Sequence, residues 1–408
     1  MIKTIVILAW RNLWRNKRRT WITISSVVFA VVLALFLESM DRGSQEGMVR
    51  NSVQYGTGYV QIQDTLYNSE PSIDNTLWLE DGLLEELQTS HTEIATLIPR
   101  LQSYGLAAAE EKSRVAMING IDVEKEHVLN GLQDRLIEGE FATDINQIVI
   151  AAGLADYLDL ELGDTIVLLG QGFHGATAAG KYAISGIVQH PMPEMNQSMT
   201  YLTIEAAQWL FDAEQRLTSL IVHPENPNRH EQLAQTLRKD ERLNDYTVYT
   251  WEELMPELVR TVEFDQASTL IFLWILYVVI GFGIFGTVLT MTLEREKEFG
   301  VLISVGMHKW KLALVIFIET LAINIMGVLV GLLISLPVII YFYHNPIPLG
   351  EDMAGIMEEY GMDAELPFSL DPEMFLQQGL IIFIISMIIT IYPVVRVMSL
   401  NVLKAARK

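Results

Sequence analysis

The sequence has no cysteine among its 408 residues. The chain therefore carries no disulfide framework and no thiolate metal site, and thiol content does not indicate its redox compartment. Its 8 histidines are scattered without an HxxxH pair, which predicts no metal site. In "QHPMPEMNQSM" (189–199), His190, Met192, Met195 and Met199 could hold Cu(I). A mobile loop with apolar methionine contacts is the simpler interpretation.

Motifs for nucleophilic catalysis and nucleotide binding are also missing. The chain contains neither GxSxG nor GxxxxGK followed by Ser or Thr. The glycine-rich segment "GQGFHGATAAGK" (170–181) superficially resembles a phosphate loop, but the orientation derived below places it outside the membrane, where ATP is not available. We interpret it as a flexible hairpin. The chain is predicted not to be an enzyme and to bind no cofactor itself.

Charged residues are absent from three long stretches and nearly absent from a fourth. Trp21–Leu37 has 17 uncharged residues, Ala267–Leu293 has 27 and Met374–Val395 has 22, while Glu319 is the single charged residue of 312–343. A bilayer core of ~30 Å needs about 20 helical residues. We predict transmembrane helices at 20–38, 267–293, 312–343 and 374–395. A cleaved signal peptide is the alternative for the first, but no small-residue cleavage site follows Leu37.

Lysine and arginine are absent from the connection 344–373, which holds eight acidic residues. By contrast, residues 1–20 hold six Lys/Arg, 294–311 hold four, and the tail 396–408 holds four. Basic residues favour the cytoplasmic side of short connections. Segments 1–19, 294–311 and 396–408 are therefore predicted to be cytoplasmic, and 39–266 and 344–373 to lie outside.

The segment 39–266 is predicted to be an α+β domain with an acidic surface. Residues 38–266 hold 38 Asp/Glu against 14 Lys/Arg, which argues against a nucleic-acid partner. Alternating or β-branched runs predict strands at 58–63, 114–120, 147–152, 164–170, 182–189 and 218–223. Helical spacing predicts helices at 81–91, 153–160, 203–212 and 228–240. The predicted fold class is thus an α-helical membrane domain of four spans, arranged 1+3, with a large α+β extracytoplasmic domain.

Residues 1–19 have the pattern of an amphipathic helix that lies in the headgroup plane of membrane lipid. Trp10 and Trp14 are one turn apart, and Arg11, Arg15 and Arg18 share another face. The alternative is a longer first span with a basic flank, but this would place Arg11 deep in the membrane.

The charged segment 294–311 separates two predicted spans and is longer than a hairpin turn needs. "EREKEF" can extend the preceding helix, and Gly300 or Gly306 allows the chain to reverse. Arg295 and Glu298 have i, i+3 spacing and could pair with each other or with a partner protein. The apolar run "VLISV" between charged flanks predicts a surface that packs against something, and a groove on a partner is the natural candidate.

Glu319 is a carboxylate about 12 Å along a helix from Lys311. Such a group is costly in a membrane unless it is neutralised or paired, so it is a functional candidate. A structural hydrogen bond to Thr290, Thr292 or Asn324 is an equal alternative.

Glycines inside the spans predict close helix packing. The GxxxG pair could serve dimerisation or packing within the chain. The glycines concerned are Gly281, Gly283 and Gly286 in "GFGIFG", and Gly327 and Gly331 in "GVLVG".

Several stretches together resemble the membrane subunits of MacB/FtsX-type ABC transporters, which include the lipoprotein-releasing pair LolC and LolE. The segment "REKEFGVLISVGMHKWKLALVIFIET" is similar to the family pattern, with Ser304 near the place where many relatives carry Arg. "IVIAAGLADYLDLELGDTIVLL" resembles the family's external core, a MacB-type periplasmic core domain, and "GTGYVQIQD" (56–64) resembles LolC/LolE-like members. The tail "YPVVRVMSLNVLKAARK" resembles the family ending through Tyr392, Pro393, Arg396 and Leu403.

This resemblance implies a permease subunit in the bacterial inner membrane, powered by a cytoplasmic ABC ATPase dimer that binds ATP and Mg²⁺. It also implies a second permease subunit, in a homo- or heterodimer, and a periplasmic adaptor or lipoprotein chaperone as a further candidate partner. Lipoprotein release is the expected function, with toxin or peptide efflux and FtsX-like regulation of a wall hydrolase as alternatives. The residues implied in ATPase coupling are Glu294, Arg295, Glu298, Gly300, Leu302 and Gly306.

Overall fold

The computed structural model describes residues 2–15, 17–78, 82–350 and 365–400, without the side chains of residues 2–4 and 19. The predicted basic tail beyond residue 400 and residues 351–364 of the acidic connection 344–373 lie outside this part. The chain divides into a helical unit (Met1–Glu46, Val262–Pro348 and Leu366–Lys408) and an α+β unit (Gly47–Thr261 and Leu349–Glu365).

The α-helices are numbered along the chain. They are α1 (Ile2–Arg15), α2 (Lys17–Ser52), α3 (Leu83–Ser90), α4 (Val123–Asn130), α5 (Ala152–Leu158), α6 (Pro193–Asn196), α7 (Ile204–Phe211), α8 (His230–Leu237), α9 (Trp251–Leu254), α10 (Pro256–Glu294), α11 (Glu296–Ser304), α12 (Lys309–His344) and α13 (Pro372–Met398). Short helical turns lie at Val53–Thr57, Leu132–Arg135, Phe173–Gly175, Pro227–Arg229 and Glu241–Leu243.

The strands are short except for one hairpin and one further strand. They are β1 (Val60–Asp64), β2 (Leu77–Trp78), β3 (Ile94–Ala109), β4 (Lys112–Ile121), β5 (Leu136–Gly139), β6 (Gln147–Ala151), β7 (Thr165–Gln171), β8 (Thr177–Val188), β9 (Met199–Thr203), β10 (Arg216–Leu217), β11 (Ser219–Pro224), β12 (Tyr246–Thr250), β13 (Ile347–Pro348) and β14 (Glu365–Leu366).

In the part of the chain that is described, four helices are long and apolar enough to cross a membrane. They occupy Thr20–Thr57, Pro256–Glu294, Lys309–His344 and Pro372–Met398. The helix α2 continues to Ser52, and α10 begins at Pro256. The predicted membrane boundaries at 38 and 267 therefore lie inside continuous helices, which are not interrupted at either position.

Close packing in the helical unit depends on the GxxxG pair of α12. A Cβ added at Gly327 would lie 2.7 Å from Cβ of Val27, and one at Gly331 would lie 2.7 Å from Cβ of Val31. Both valines are buried in α2. The pair thus serves packing within the chain, the second of the two alternatives from the sequence.

The other span glycines are less closely packed. A Cβ at Gly281 would meet Ile385 at an ordinary 3.7 Å, and a Cβ at Gly283 or Gly286 would have no described atom within 4 Å. All three lie in α10, and in the described part of the chain none of them lets another helix approach unusually closely.

The first helix, α1, packs against another helix of the helical unit. Ile5 and Ala9 of α1 pack against Val315 of α12. Trp10 and Trp14 are exposed, and their rings meet edge to face at 5.9 Å. The helix thus buries one apolar stripe within the chain and presents another with its tryptophans.

The α+β unit is built on a ten-stranded sheet in the order β12-β1-β11-β3-β4-β9-β6-β8-β5, and β7 pairs with both β3 and β8. Most pairs are antiparallel, but β4–β9 and β6–β8 are parallel. All six predicted strands and all four predicted helices of this region are present, with shifted ends. The segment 170–181 is the turn and flanks of the β7–β8 hairpin, as its interpretation as a hairpin requires.

Helices cover the core of this sheet. A Cβ at Gly120 in β4 would lie 2.4 Å from Cβ of Ala207, so this glycine lets α7 approach the sheet closely. A main cluster that includes Leu101, Ile118, Ile150 and Phe211 forms the resulting core.

The sequence predicts a loop over the whole of 189–199, but only part of this segment is a loop in the structure. It contains α6, and Met199 is the first residue of β9. Nε2 of His190 lies 2.7 Å from the hydroxyl of Tyr201, and Sδ of Met199 accepts a hydrogen bond from Nδ2 of Asn119 at 3.1 Å. These two soft donors already have partners in the protein.

Candidate functional site

The predicted extension of the second span breaks at one residue. The helix α10 ends at Glu294, Arg295 has φ −94° and ψ 2°, and α11 starts at Glu296. "EREKEF" is therefore not one continuous helix with α10. The break coincides with the residue whose side chain turns into the helical unit to meet a carboxylate.

That carboxylate belongs to Glu319. Nη1 of Arg295 lies 2.6 Å from Oε1 of Glu319. Arg295 is 4% exposed and Glu319 is 2% exposed. The guanidinium carbon also lies 5.3 Å from the ring centre of Phe299. A buried carboxylate in an apolar helix thus has the charged partner that its burial demands.

The hydrogen-bond partners predicted for Glu319 are used elsewhere. The hydroxyl of Thr290 donates to the carbonyl of Gly286, and the hydroxyl of Thr292 donates to the carbonyl of Val288. Nδ2 of Asn324 donates to Thr390 at 3.3 Å. The alternative of a neutral hydrogen bond is therefore replaced by an ion pair.

The chain reverses at Gly306, which has φ +106°. The backbone N–H of Gly306 donates to the carbonyl of Ile303, and that of Met307 donates to the carbonyl of Leu302, each at 3.0 Å. This left-handed ending favours glycine because a side chain would be strained there. Of the two glycines that could reverse the chain, Gly300 is instead buried within α11.

Further polar contacts tie α11 and its neighbour α12 to other helices. Glu298 pairs with Arg15 of α1 at 3.0 Å, and Glu296 pairs with Arg396 of α13 at 2.9 Å. Nζ of Lys309, at the start of α12, donates to the carbonyl of Leu400 at 2.7 Å. Together with the Arg295–Glu319 pair, these contacts connect the segment to α1, α12 and α13.

The helix α11 has two different apolar faces. Phe299 and Ile303 pack in a cluster with Leu312, Ile316 and Val397. On the other side, three residues leave 57%, 41% and 84% of their surface exposed. We call these residues the α11 strip: Val301, Leu302 and Val305. An apolar strip this exposed, on a helix whose opposite face is fixed, is typical of a protein-binding surface.

The predicted coupling residues therefore occupy different environments. Arg295 and Gly300 are buried and can act only through other residues of the chain. Exposed positions are occupied by Glu294, Glu298, Leu302 and Gly306. Sequence reasoning missed Arg15 and Arg396 as partners of this segment, because the chain separations of 283 and 100 residues leave no local signal.

The fold and the site define a class of membrane protein in which long apolar helices accompany a separate α+β unit. In this class, a short amphipathic helix joins two of the long helices. The family model described as MacB-like periplasmic core domain matches residues 20–240, more than half of the 408 residues. The model described as FtsX-like permease C-terminal matches residues 270–402. The chain therefore belongs to the FtsX/MacB type of ABC transporter permease, a family that typically works with a cytoplasmic ABC ATPase.

Solved structures show weaker likeness. The extracellular domain of the noncanonic ABC-type transporter YknZ from Gram-positive bacteria is 13% identical with TM-score 0.34, covering 47% of this chain and all of that one. The periplasmic region of MacB from Actinobacillus actinomycetemcomitans is 16% identical with TM-score 0.36, covering 52% and 96%. A domain of a putative permease from Porphyromonas gingivalis is 13% identical with TM-score 0.31, covering 48% and 90%. No curated protein matches this chain.

Proposed function

We propose that this chain is the transmembrane subunit of an ABC transporter that transmits the motion of a separate cytoplasmic ATPase to the α+β unit. The observation that carries the proposal is the α11 strip. The strip is apolar and exposed, and it lies on a helix that ion pairs tie to the rest of the helical unit. ATP and Mg²⁺ would be bound by the ATPase and not by this chain.

The proposed topology has four spans arranged 1+3, with both termini and α11 in the cytoplasm and the α+β unit in the periplasm. The distribution of lysine and arginine supports this orientation, because residues 294–311 hold four of them and 344–373 hold none. The proposed location is the bacterial inner membrane.

The contacts of α11 indicate how a push would be transmitted. A partner that moves the α11 strip also moves the carboxylates of Glu296 and Glu298, which are held by arginines of α13 and α1. The buried Arg295 ties the same point to Glu319, part-way along α12. Because these pairs connect three helices to one short helix, a displacement of α11 is shared among them.

Lipoprotein release from the inner membrane is the cargo function that we propose first, on the resemblance to the LolC/LolE-like branch. A second permease subunit would complete the transmembrane unit. Release of a labelled lipoprotein from spheroplasts tests this cargo. If cells that lack this chain release the lipoprotein normally but differ from the wild type in susceptibility to a toxin or peptide, efflux is favoured instead.

The ATPase interface is tested by co-purification of the chain with its cognate ABC ATPase and by ATP turnover of the complex. Val301→Asp and Val305→Asp place a charge in the proposed apolar contact. Full burial of a valine contributes about 1.5–3 kcal/mol. Each variant should therefore weaken the complex tenfold or more.

A matched control is Val128→Asp in α4 of the α+β unit. Val128 is 54% exposed, close to the 57% of Val301, and it also lies on a helix. This variant should bind the ATPase as the wild type does. Unchanged complex formation and turnover with both α11 variants would contradict the proposal.

A further inference from the structure

A polar cleft of about 680 Å³ opens in the α+β unit beside α5 and α6. Its wall includes Arg114 of β4, Arg135, Asp156, Tyr157 and six residues of the segment from Gln189 to Gln197. Ligand sites in proteins commonly have volumes of about 300–1,000 Å³ and a few convergent polar groups. The size and lining of this cleft thus fit a small ligand or a short stretch of peptide.

Two arginines of the cleft are held in place without a carboxylate. The guanidinium of Arg114 lies 4.7 Å from the ring centre of Tyr157, and that of Arg135 lies 4.8 Å from the ring centre of Tyr55. Arg114 donates to Oε1 of Gln197, and Arg135 donates to the hydroxyl of Tyr55. Each guanidinium has five N–H donors, so most of them are left for other acceptors.

In the part of the chain that is described, some arginines of this unit pair with a carboxylate, whereas others, including Arg114, Arg135 and Arg216, do not. Residues 38–266 hold 38 acidic residues against 14 basic ones, so carboxylates are plentiful. Arg100, which is 3% exposed, does find one, because its Nη2 lies 2.5 Å from Oε1 of Glu126. Among the described residues, neither Arg114 nor Arg135 lies within 4.0 Å of a carboxylate oxygen.

Buried polar atoms at the same place also lack partners. His190 lines the cleft and is 3% exposed, and its Nδ1 has no hydrogen-bond partner among the described residues. Nε of Arg135 is buried and unpartnered in the same way. A buried polar atom that lacks a hydrogen-bond partner costs about 1–3 kcal/mol. Two such atoms at one cleft therefore indicate that a ligand supplies the missing partners.

We propose that this cleft binds a carboxylate of a peptide, in an extended segment of a few residues. Two arginines and Asp156 give the wall a net charge of one positive unit, which a single carboxylate neutralises, whereas a phosphate dianion would leave an excess negative charge beside Asp156. The amides of Gln189, Asn196 and Gln197 can bond to a peptide backbone. The proposal concerns the α+β unit alone and is independent of ATPase binding at the α11 strip.

The test uses the full chain in lipid nanodiscs at fixed salt concentration, with rhodamine-labelled pentaalanine as the probe. Fluorescence anisotropy compares the peptide that has a free carboxyl terminus with its carboxyl-amidated form. The free form should bind at least tenfold more tightly. Acetate should compete with it at lower concentration than inorganic phosphate does.

Substitutions test whether the contact is made in this cleft. Arg114→Gln and Arg135→Gln should each weaken binding tenfold or more, whereas Arg229→Gln, at an exposed arginine outside the cleft, should not. Asp156→Asn should tighten binding two- to threefold because it removes a competing carboxylate. A merely structural role of the cleft does not predict this gain.

Several outcomes would overturn the proposal. These are equal affinity for the free and amidated peptides, wild-type binding by Arg114→Gln, stronger competition by phosphate than by acetate, or no binding at millimolar peptide. A folded Arg114→Gln protein is confirmed by a circular dichroism spectrum equal to that of the wild type. If Arg135→Gln fails to fold, Arg114→Gln and Asp156→Asn decide the question.

Discussion

Arg295 of the helical unit and two arginines of the α+β unit are in opposite situations. In the helical unit, Arg295 is buried and forms an ion pair with the carboxylate of Glu319 at 2.6 Å. In the α+β unit, Arg114 and Arg135 line a cleft and are stacked on tyrosines, with no carboxylate partner among the described residues. The same side chain is thus satisfied within the protein in one place and open in the other.

This difference separates two uses of charge. A buried pair such as Arg295–Glu319 is weak support for stability in itself, but it fixes which helix surfaces meet. An arginine held by an aromatic ring and one neutral hydrogen bond keeps most of its donors for a ligand. The difference therefore predicts that substitution of Arg295 lowers the stability of the chain, whereas substitution of Arg114 weakens only ligand binding.

The largest effect is expected from breaking the buried pair on one side. Glu319→Leu removes the carboxylate that lies 2.6 Å from the buried Arg295 and leaves only the half-exposed Glu298, 3.6 Å from Nε. The loss of the buried partner should cost about 3–5 kcal/mol. The double variant Arg295→Met with Glu319→Leu removes both charges and should recover most of this stability. Thermal unfolding of the three proteins in nanodiscs measures the difference. If the single and double variants unfold at the same temperature, Arg295 and Glu319 do not form the buried ion pair described above.

A second large effect is expected from pH at the open site. Burial, and then the nearby charge of Arg135, lower the pKa of His190 to about 4 from its ordinary 6.5. The unfolded state therefore binds the extra proton first, and stability should fall as pH drops from about 6.5 to about 4, by up to about 3 kcal/mol.

Hydrogen exchange of the β9 amides in the full chain, expressed as protection factors, measures this loss. His190→Gln should flatten the pH dependence over the same window. A wild-type protection factor that is the same at pH 7 and pH 4.5 would show that His190 is not held neutral.

The exposed ion pairs of α11 should contribute little to stability. The side chains of Arg15 and Glu298 are 60% and 44% exposed, so Arg15→Gln should cost less than about 1 kcal/mol. Arg396→Gln should behave alike. Both variants should nevertheless lower the ATP turnover of the complex if these pairs transmit motion. Thermal unfolding and turnover are measured together, and a loss of stability comparable to that of Glu319→Leu would contradict the distinction.

The smallest effect on stability is expected at the cleft. Arg114→Gln should change the free energy of unfolding by less than about 0.5 kcal/mol, since no carboxylate loses a partner. Its matched control is Arg100→Gln, which strands the buried Glu126 and should cost about 3 kcal/mol. Urea unfolding of each full-length variant, followed by circular dichroism, makes this comparison. Equal losses would mean that Arg114 is structural.

The sequence predicts most of the fold where pattern and structure have the same period. The long uncharged stretches correspond to long helices, and six alternating or apolar runs correspond to strands. It misses β3, the 16-residue strand that pairs with β4, β7 and β11. That strand contains Pro99 and Gly105, which usually argue against a central strand, and here tertiary pairing overrides them.

The site is predictable only in part. The position of α11 between two apolar stretches and the chain reversal at a glycine follow from the local sequence pattern. The partner of Glu319 does not, because the helix break at Arg295 changes which face its side chain occupies. The cleft arginines were equally hidden, since β4 and the turn before β5 come together only through the sheet.

The exposed α11 strip also bears on how the chain must be produced. Val301, Leu302 and Val305 would be covered only after a partner binds. Copies made in excess of that partner would keep an uncovered apolar surface, which favours aggregation and degradation. Balanced supply of the two chains, and not only their affinity, would then set how much intact protein accumulates.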